Sequence, residues 1–443
     1  MVASLAVWIG SALLILAVLT QRWWDPWLTK SGIDWRAVPW RWYLLGFPAT
    51  AIRMRWRWKQ VCLINDLSIS RKPTRAMVGD LAVRGTALRA IAPTLGLPRV
   101  TRTGLVVRVR LNPGQTPRPF LNATGALEHA WQVHRVRISS PRRGELVVTV
   151  TARDSLSRDD AKTDHQPERL LAARVGRIED GGAWVLDLRQ IPHWLLVGAT
   201  QSGKSTLLAA WVVRLAPQSV ALVGIDCKGG LELGLVESRL SALACNRPEA
   251  IELLHALVRE MEGRMAACRA ARVRSIWQLP DSGRPMPIVV LVDELAELYL
   301  SDGSRESRDE VAQCSTLLLR VAQLGAALGL HLVVAGQRVG AELGPGVTAL
   351  RAQLGGRIAH RVNDQATAEM ALGDLSPDAI AVAQTIEPDE KGVAVTTVGG
   401  RWMRARSDLT TTDQARAIAD EHAHLTPYFP ALAHSMTKGG RTE

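Results

Sequence analysis

The eight residues GATQSGKS at positions 198–205 restrict the fold of this chain more than any other segment. They fit the pattern G-x-x-x-x-G-K-[ST], follow the apolar run WLLV and precede the helix-like KSTLLAAWVVRL. A glycine-rich turn between a buried strand and a helix N-terminus aims several backbone N–H groups at one point, where the helix dipole also favours negative charge. Triphosphate is the expected occupant. Gly198 permits the tight turn and Gly203 lets the backbone approach an anion closely. Lys204 is placed to reach the β- and γ-phosphates, and Ser205 to offer a hydroxyl to Mg²⁺. Ala199, Thr200, Gln201 and Ser202 complete the cradle, and Thr206 follows in the helix. The competing reading, a plain turn with a solvated lysine, is opposed by the agreement of strand, spacing and helix.

A nucleotide site of this kind needs a second acidic strand end. IVVLVDE, residues 288–294, supplies one: a continuous apolar run, as expected of a parallel strand buried on both faces, that ends in two carboxylates. Ligands sit at the carboxyl ends of strands in open α/β sheets. There Asp293 would hold Mg²⁺ and Glu294 would polarise an attacking water. The alternative is a solvated acid pair favoured in the first turn of the next helix. LHLVVAGQR, residues 330–338, reads as a further buried strand, with Gln337 at its end to orient the γ-phosphate or the water.

With 443 residues, 47% hydrophobic and 22% charged, the chain is a globular protein with room for two or three domains, not a disordered one. Its net charge of +12 favours an anionic partner. Half of that excess lies in residues 1–60, where eight Lys/Arg face two acids. Residues 2–19, VASLAVWIGSALLILAVL, carry no charge and would extend roughly 27 Å as a helix, enough to span a bilayer core. Arg22, Trp23, Trp24 and Trp27 follow as an interfacial girdle, placing the remainder in the cytoplasm. A second apolar stretch, 42–52, is too short to cross; with RMRWRWK after it, it reads as a re-entrant or interfacial element or half of a hairpin. Nine of the 15 tryptophans fall in the first 60 residues among arginines, a membrane-interface belt in preference to a nucleic-acid stacking surface. Cys62, Cys227, Cys245, Cys268 and Cys314 lack paired metal spacing and read as reduced thiols.

Four segments are therefore expected: a membrane anchor over 1–60, a small α+β domain over 61–165, a motor domain over 166–410 and a short tail over 411–443. In the second, GLVVRVRL, VHRVRIS and ELVVTVTA alternate as strands, and FLNATGALEHAWQV fits one amphipathic helix. Arg108, Arg110, Arg135 and Arg137 should share a sheet face. The polar stretch 155–168 marks a linker. Beyond it, SVALVGID is a buried strand, and Ile251, Leu254, Leu257, Val258, Met261, Met265 and Cys268 form a helical core stripe. This βα alternation predicts an α/β domain with a mostly parallel sheet covered by helices.

GATQSGKS, IDCKGGLELG, VVLVDELAEL, HLVVAGQR and RIAHRV, in that order, resemble the motor domain of the FtsK/SpoIIIE DNA translocases over roughly residues 170–400. The single motor behind an apolar N-terminus is most similar to actinobacterial plasmid and integrative-element transfer proteins of the Tra type. The resemblance implies a RecA-like P-loop NTPase that hydrolyses ATP with Mg²⁺, a homo-hexameric ring around double-stranded DNA, and an arginine reaching the γ-phosphate of a neighbouring subunit. Arg357 matches that arginine, with Arg361 and Arg338 as competitors; Asp226 and Lys228 match a segment that shapes the active site. Gln201 stands where family loops often carry glycine, which implies ordinary φ there. About 35 residues follow the hairpin-like KGVAVTTVGGRWMRARS, so no winged helix for sequence reading is expected. DNA contacts should then go mainly to phosphates, with Arg305 and Arg308 or Arg351 on candidate pore segments. Conjugative transfer and chromosome or plasmid partitioning both remain open. A motor or coupling protein of a type VII-like secretion system is the alternative, disfavoured by the single phosphate loop; a non-processive adaptor is disfavoured by the intact Lys204, Asp293 and Glu294.

Overall fold

The computed structural model describes residues 42–71, 89–101, 103–152, 156, 169–373, 375, 377–398 and 401–429. The apolar segment 2–19, its Arg/Trp girdle, most of the linker 155–168 and the end of the tail lie outside the described residues. The chain divides into two compact units, residues 1–155 and 156–443.

In the first unit, helix α1 (Phe47–Ile64) is preceded by a π-turn, Trp42–Gly46. Strands β1 (Ile69–Arg71) and β2 (Arg89–Ile91) pair with each other. Then come β3 (Thr94–Leu95), β4 (Arg99–Val100), β5 (Gly104–Arg110), α2 (Arg118–Asn122), α3 (Thr124–Trp131), β6 (Arg135–Arg142) and β7 (Glu145–Thr151). The antiparallel sheet runs β3-β5-β7-β6, with β4 also on β5. Period-2 alternation sends Leu105, Val107, Val109, Leu146, Val148, Val150, Val136 and Ile138 to one face, where they pack against Met54, Trp58, Phe120, Leu127 and Trp131. Arg108, Arg110, Arg135 and Arg137 lie on the other, as the alternation requires.

Two expectations are corrected here. The single helix foreseen over FLNATGALEHAWQV is two short ones interrupted at Ala123. Residues 47–59 do not stand apart from the first unit, because α1 runs across the boundary expected at 60/61. Met54, Trp58, Val61 and Cys62 turn into the unit's core, and Trp58 Nε1 donates to Pro93 O at 2.7 Å. Arg53 and Arg57 donate to the Trp131 and Ala130 carbonyls at the end of α3, at 2.8 and 2.7 Å. Trp56 stays outside, 82% exposed, beside exposed Arg55 and Lys59.

The second unit is built on a ten-stranded sheet ordered β12-β11-β13-β14-β10-β15-β16-β17-β8-β9. Its strands are β8 (Ala172–Ile178), β9 (Ala183–Asp187), β10 (His193–Val197), β11 (Ala221–Ile225), β12 (Leu240–Ala244), β13 (Ile288–Val292), β14 (Leu330–Gly336), β15 (Gly356–His360), β16 (Val393–Val398) and β17 (Arg401–Ser407). The six strands from β12 to β15 are parallel, whereas β16, β17, β8 and β9 continue the sheet antiparallel.

Helices cover both faces. Ile288, Val290 and Val292 join one core with α5 (Arg247–Ala270), α6 (Arg305–Leu328), α7 (Val347–Gln353), α8 (Gln365–Leu372) and α9 (Pro377–Gln384). Val289 and Leu291 join the other with α4 (Lys204–Leu215) and α10 (Thr412–Glu421). Burial on both sides is why IVVLV is uniformly apolar. Among the described residues α6 alone is long and apolar enough to cross a membrane, and its Val311, Cys314, Leu318, Val321 and Leu328 lie in the core.

Candidate active site

The carboxyl ends of five neighbouring parallel strands converge. β10 delivers the phosphate loop, β13 the acids, β14 Gln337, β11 the Asp226–Lys228 corner and β15 His360 and Arg361. Parallel pairing puts all five ends on one side of the sheet, the usual ligand crevice of such folds.

The loop is fastened by its main chain. Gly198 N donates to Gly336 O (3.3 Å), Ala199 N to Arg361 O (2.8 Å), Ser202 N to Ala199 O (3.2 Å) and Gly392 N to Ser202 O (3.0 Å). Gly203 has φ +114°, and a Cβ there would lie 2.7 Å from the Gly392 backbone, so glycine is required on both counts. Gln201 corrects an expectation. Its φ is +60°, the left-handed region, because the loop reverses between Ala199 and Gly203. No side chain caps the first turn of α4, so its leading N–H groups face the cradle. Lys204 Nζ donates to the carbonyls of Gly198 (2.6 Å) and Ala199 (3.3 Å). Burial lowers its pKa, partly countered by Glu294 and Asp293. Ser202 is buried, whereas Ser205 and Thr206 are half-buried on α4.

Asp293 and Glu294 follow β13 and are 5% and 7% exposed. Lys228 Nζ stands 3.0 Å from Asp293 Oδ2 and 3.8 Å from Glu294 Oε2. Glu294 Oε1 accepts from Gln337 N at 3.2 Å. Burial raises the Glu294 pKa; the Gln337 N–H, Lys228 and Lys204 pull it back without cancelling the rise. Gln337 itself is exposed, and its Oε1 accepts from the Thr200 hydroxyl at 3.4 Å. Lys204, Asp293, Glu294, Gln337 and Thr200 thus form one cluster.

Arg357 does not join it. It sits within β15, 7% exposed, and donates to Arg351 O at 2.9 Å. Its side chain is held within the fold, away from that cluster. Arg361 reaches its own loop, donating to Thr200 O at 3.4 Å. Arg338 is 55% exposed and paired with Glu342 at 3.0 Å.

The uncapped helix start, the half-buried Lys204 ammonium and the left-handed Gly203 fit a triphosphate. The Ser205 hydroxyl and Asp293 carboxylate are hard oxygen donors of the kind Mg²⁺ takes alongside phosphate oxygens. Residues 156–286 and 278–341 match the FtsK/SpoIIIE family model, and residues 35–152 match the model described as an actinomycete conjugal transfer protein N-terminal domain. Transfer protein TraSA of Streptomyces ambofaciens is 45% identical over 352 residues, 76% of this chain and 83% of that one. The chain belongs to the FtsK/SpoIIIE family. As a member it binds ATP and is an ATPase. A sporulation regulatory protein of Streptomyces azureus is also 45% identical, over 59% of this chain and 84% of its own length. DNA translocase FtsK of Campylobacter jejuni is 28% identical over 284 residues, and this FtsK/SpoIIIE member spans only 28% of it. Among solved structures, the pCW3 conjugation coupling protein TcpA, a monomer form with ATPγS, shares the fold with a TM-score of 0.57 at 20% identity, covering 85% of this chain and 99% of TcpA.

Sequence reading missed Gly392, whose amide holds the loop from β16, and gave Lys228 no direct contact. The first carries a faint signal, a Lys-Gly before a strand; the second has none, because which charge meets the acids depends on how β11 and β13 align.

Proposed function

We propose that the chain is a membrane-anchored, ATP-driven translocase of double-stranded DNA that works as a homo-hexameric ring in conjugative transfer. The observation that carries this reading is the cluster of Lys204, Asp293, Glu294 and Gln337 at the strand ends, in a chain 45% identical to a transfer protein over most of its length. Lys204 would hold the β- and γ-phosphates, and Ser205 and Asp293 would hold Mg²⁺, whose chemistry there would be charge neutralisation. Glu294 accepts a proton from the attacking water, and Gln337 orients that water. With Arg357 held inside, Arg338 is the arginine offered to the adjacent subunit. Exposed Arg305 and Arg308, at the start of α6, suit a DNA-facing position better than Arg351, which donates to Val339 O at 3.0 Å.

Anchoring rests on residues 2–19 and is supported by the outer stripe of α1, where Ile52, Trp56, Leu63 and Ile64 are exposed beside Arg55 and Lys59. The test is hydrolysis by the full chain in nanodiscs, with and without linear duplex DNA, alongside particle mass. Duplex DNA should raise the rate, with stimulation falling steeply as salt displaces phosphate contacts. Rings that hydrolyse ATP at the same rate with and without DNA would refute the pump.

A further inference from the structure

We propose that Lys228 is a positioning residue that competes with the divalent cation for the Asp293 carboxylate, and so sets how tightly the site takes metal. This rests on the reading of Asp293 as a metal ligand. Two consecutive carboxylates, each more than nine-tenths buried, need a compensating cation. The lysine of the phosphate loop donates to loop carbonyls instead. Lys228 supplies the charge, at 3.0 Å from Asp293 and 3.8 Å from Glu294. Burial alone would lower its pKa; the hydrogen bond and charge of Asp293, with Glu294 and Asp226, outweigh that and raise it.

The corner is built to keep the Lys228 backbone still while its head group moves. Asp226, fully buried, accepts from Lys228 N (3.3 Å), Glu232 N (2.8 Å) and Leu233 N (3.1 Å), which pins the turn through Gly229 and Gly230, both at positive φ. The Lys228 side chain is 38% exposed, so the ammonium has water to swing into. An ammonium at hydrogen-bond distance and a divalent cation compete for the Asp293 carboxylate, because the two positive charges would repel within a few ångströms of each other in a partly buried site. Metal binding therefore displaces the ammonium, and the work of displacing it weakens metal affinity. Glu294, farther from the ammonium, keeps it close by after the exchange.

The experiment is a Mn²⁺ titration followed by electron paramagnetic resonance, on the full chain in detergent with ATPγS present. Lys228→Met should bind Mn²⁺ roughly tenfold tighter, the scale of one displaced charge in a partly screened site, and Lys228→Arg should stay close to the unsubstituted chain. Mn²⁺ should also raise the unfolding temperature of Lys228→Met more than that of the unsubstituted protein. Unchanged or weaker Mn²⁺ binding in Lys228→Met overturns the proposal. If that variant does not fold, Lys228→Gln, which keeps a polar head, takes its place with the same expectation. If neither folds, the reactivity of Lys228 in the unsubstituted chain toward an amine reagent decides: it should rise when Mn²⁺ joins ATPγS, and no change overturns the exchange. Asp293→Asn separates the two layers. Loss of Mn²⁺ binding there with no gain in Lys228→Met sinks the exchange alone, whereas retained binding sinks the metal reading beneath it.

Discussion

Lys204 has two carbonyl partners within its own loop, so removing its ammonium should abolish ATP hydrolysis with little change in fold. Lys204→Ala is expected to lose at least about 10³-fold in turnover while its circular dichroism stays that of the parent. Gln201 offers the opposite test. A non-glycine residue at φ +60° carries about 1 kcal/mol of backbone strain, so Gln201→Gly should raise stability by up to about 1 kcal/mol, read from denaturant midpoints, with ATP affinity retained. The meeting of Gly198, Lys204, Asp293 and Glu294 was legible at this scale, because they belong to segments whose spacing itself encodes the strand ends. Arg357 was not. A family motif gives its position in the chain but not the rotation of a β15 side chain toward Arg351.

Elements were legible where burial made their pattern uniform. The apolar runs of β10, β11, β13 and β14, and the stripe of α5, lie where sequence periodicity puts them. β8, β9 and the antiparallel pairing of β17 with β8 were missed, since AARVGRI does not alternate with period two and carries arginine. The packing of α1 was not legible for a physical reason: an Arg-Trp alternation looks the same whether indoles face outward, as Trp56 does, or into a protein core, as Trp58 does. Its two tryptophans should part company on substitution. Trp58→Ala, removing a buried indole and its bond to Pro93, should cost about 3–5 kcal/mol. Trp56→Ala, at an 82% exposed position, should change stability by less than about 0.5 kcal/mol. Chemical denaturation of the two variants side by side checks both.

Across the whole molecule, three imidazoles buried among the described residues make the second unit sensitive to acid. Burial pushes His193 and His360 down to about 4 and His331 to about 3. Unfolded histidine titrates near 6.5, so below that pH the unfolded chain binds protons that the folded one refuses. Stability is therefore complete above about 6.5 and is lost as pH falls from there through about 4. Calorimetry should find the unfolding temperature of the second unit level between pH 7 and 8 and dropping by pH 5; replacing His331, which lies against Trp277, with Gln should flatten part of that drop in whatever folded protein remains.

The main-chain fastening of the phosphate loop has an evolutionary corollary. Bonds from Gly336 O, Arg361 O and Gly392 N reach backbone atoms of Gly198, Ala199 and Ser202, and a backbone atom is present whatever side chain a codon specifies. Point mutations at the loop's middle positions can then accumulate without unseating it, proline excepted at the donating amides. The middle of the loop is thus free to vary, as glutamine at 201 illustrates, while the two glycines and the lysine carry the burden of being irreplaceable.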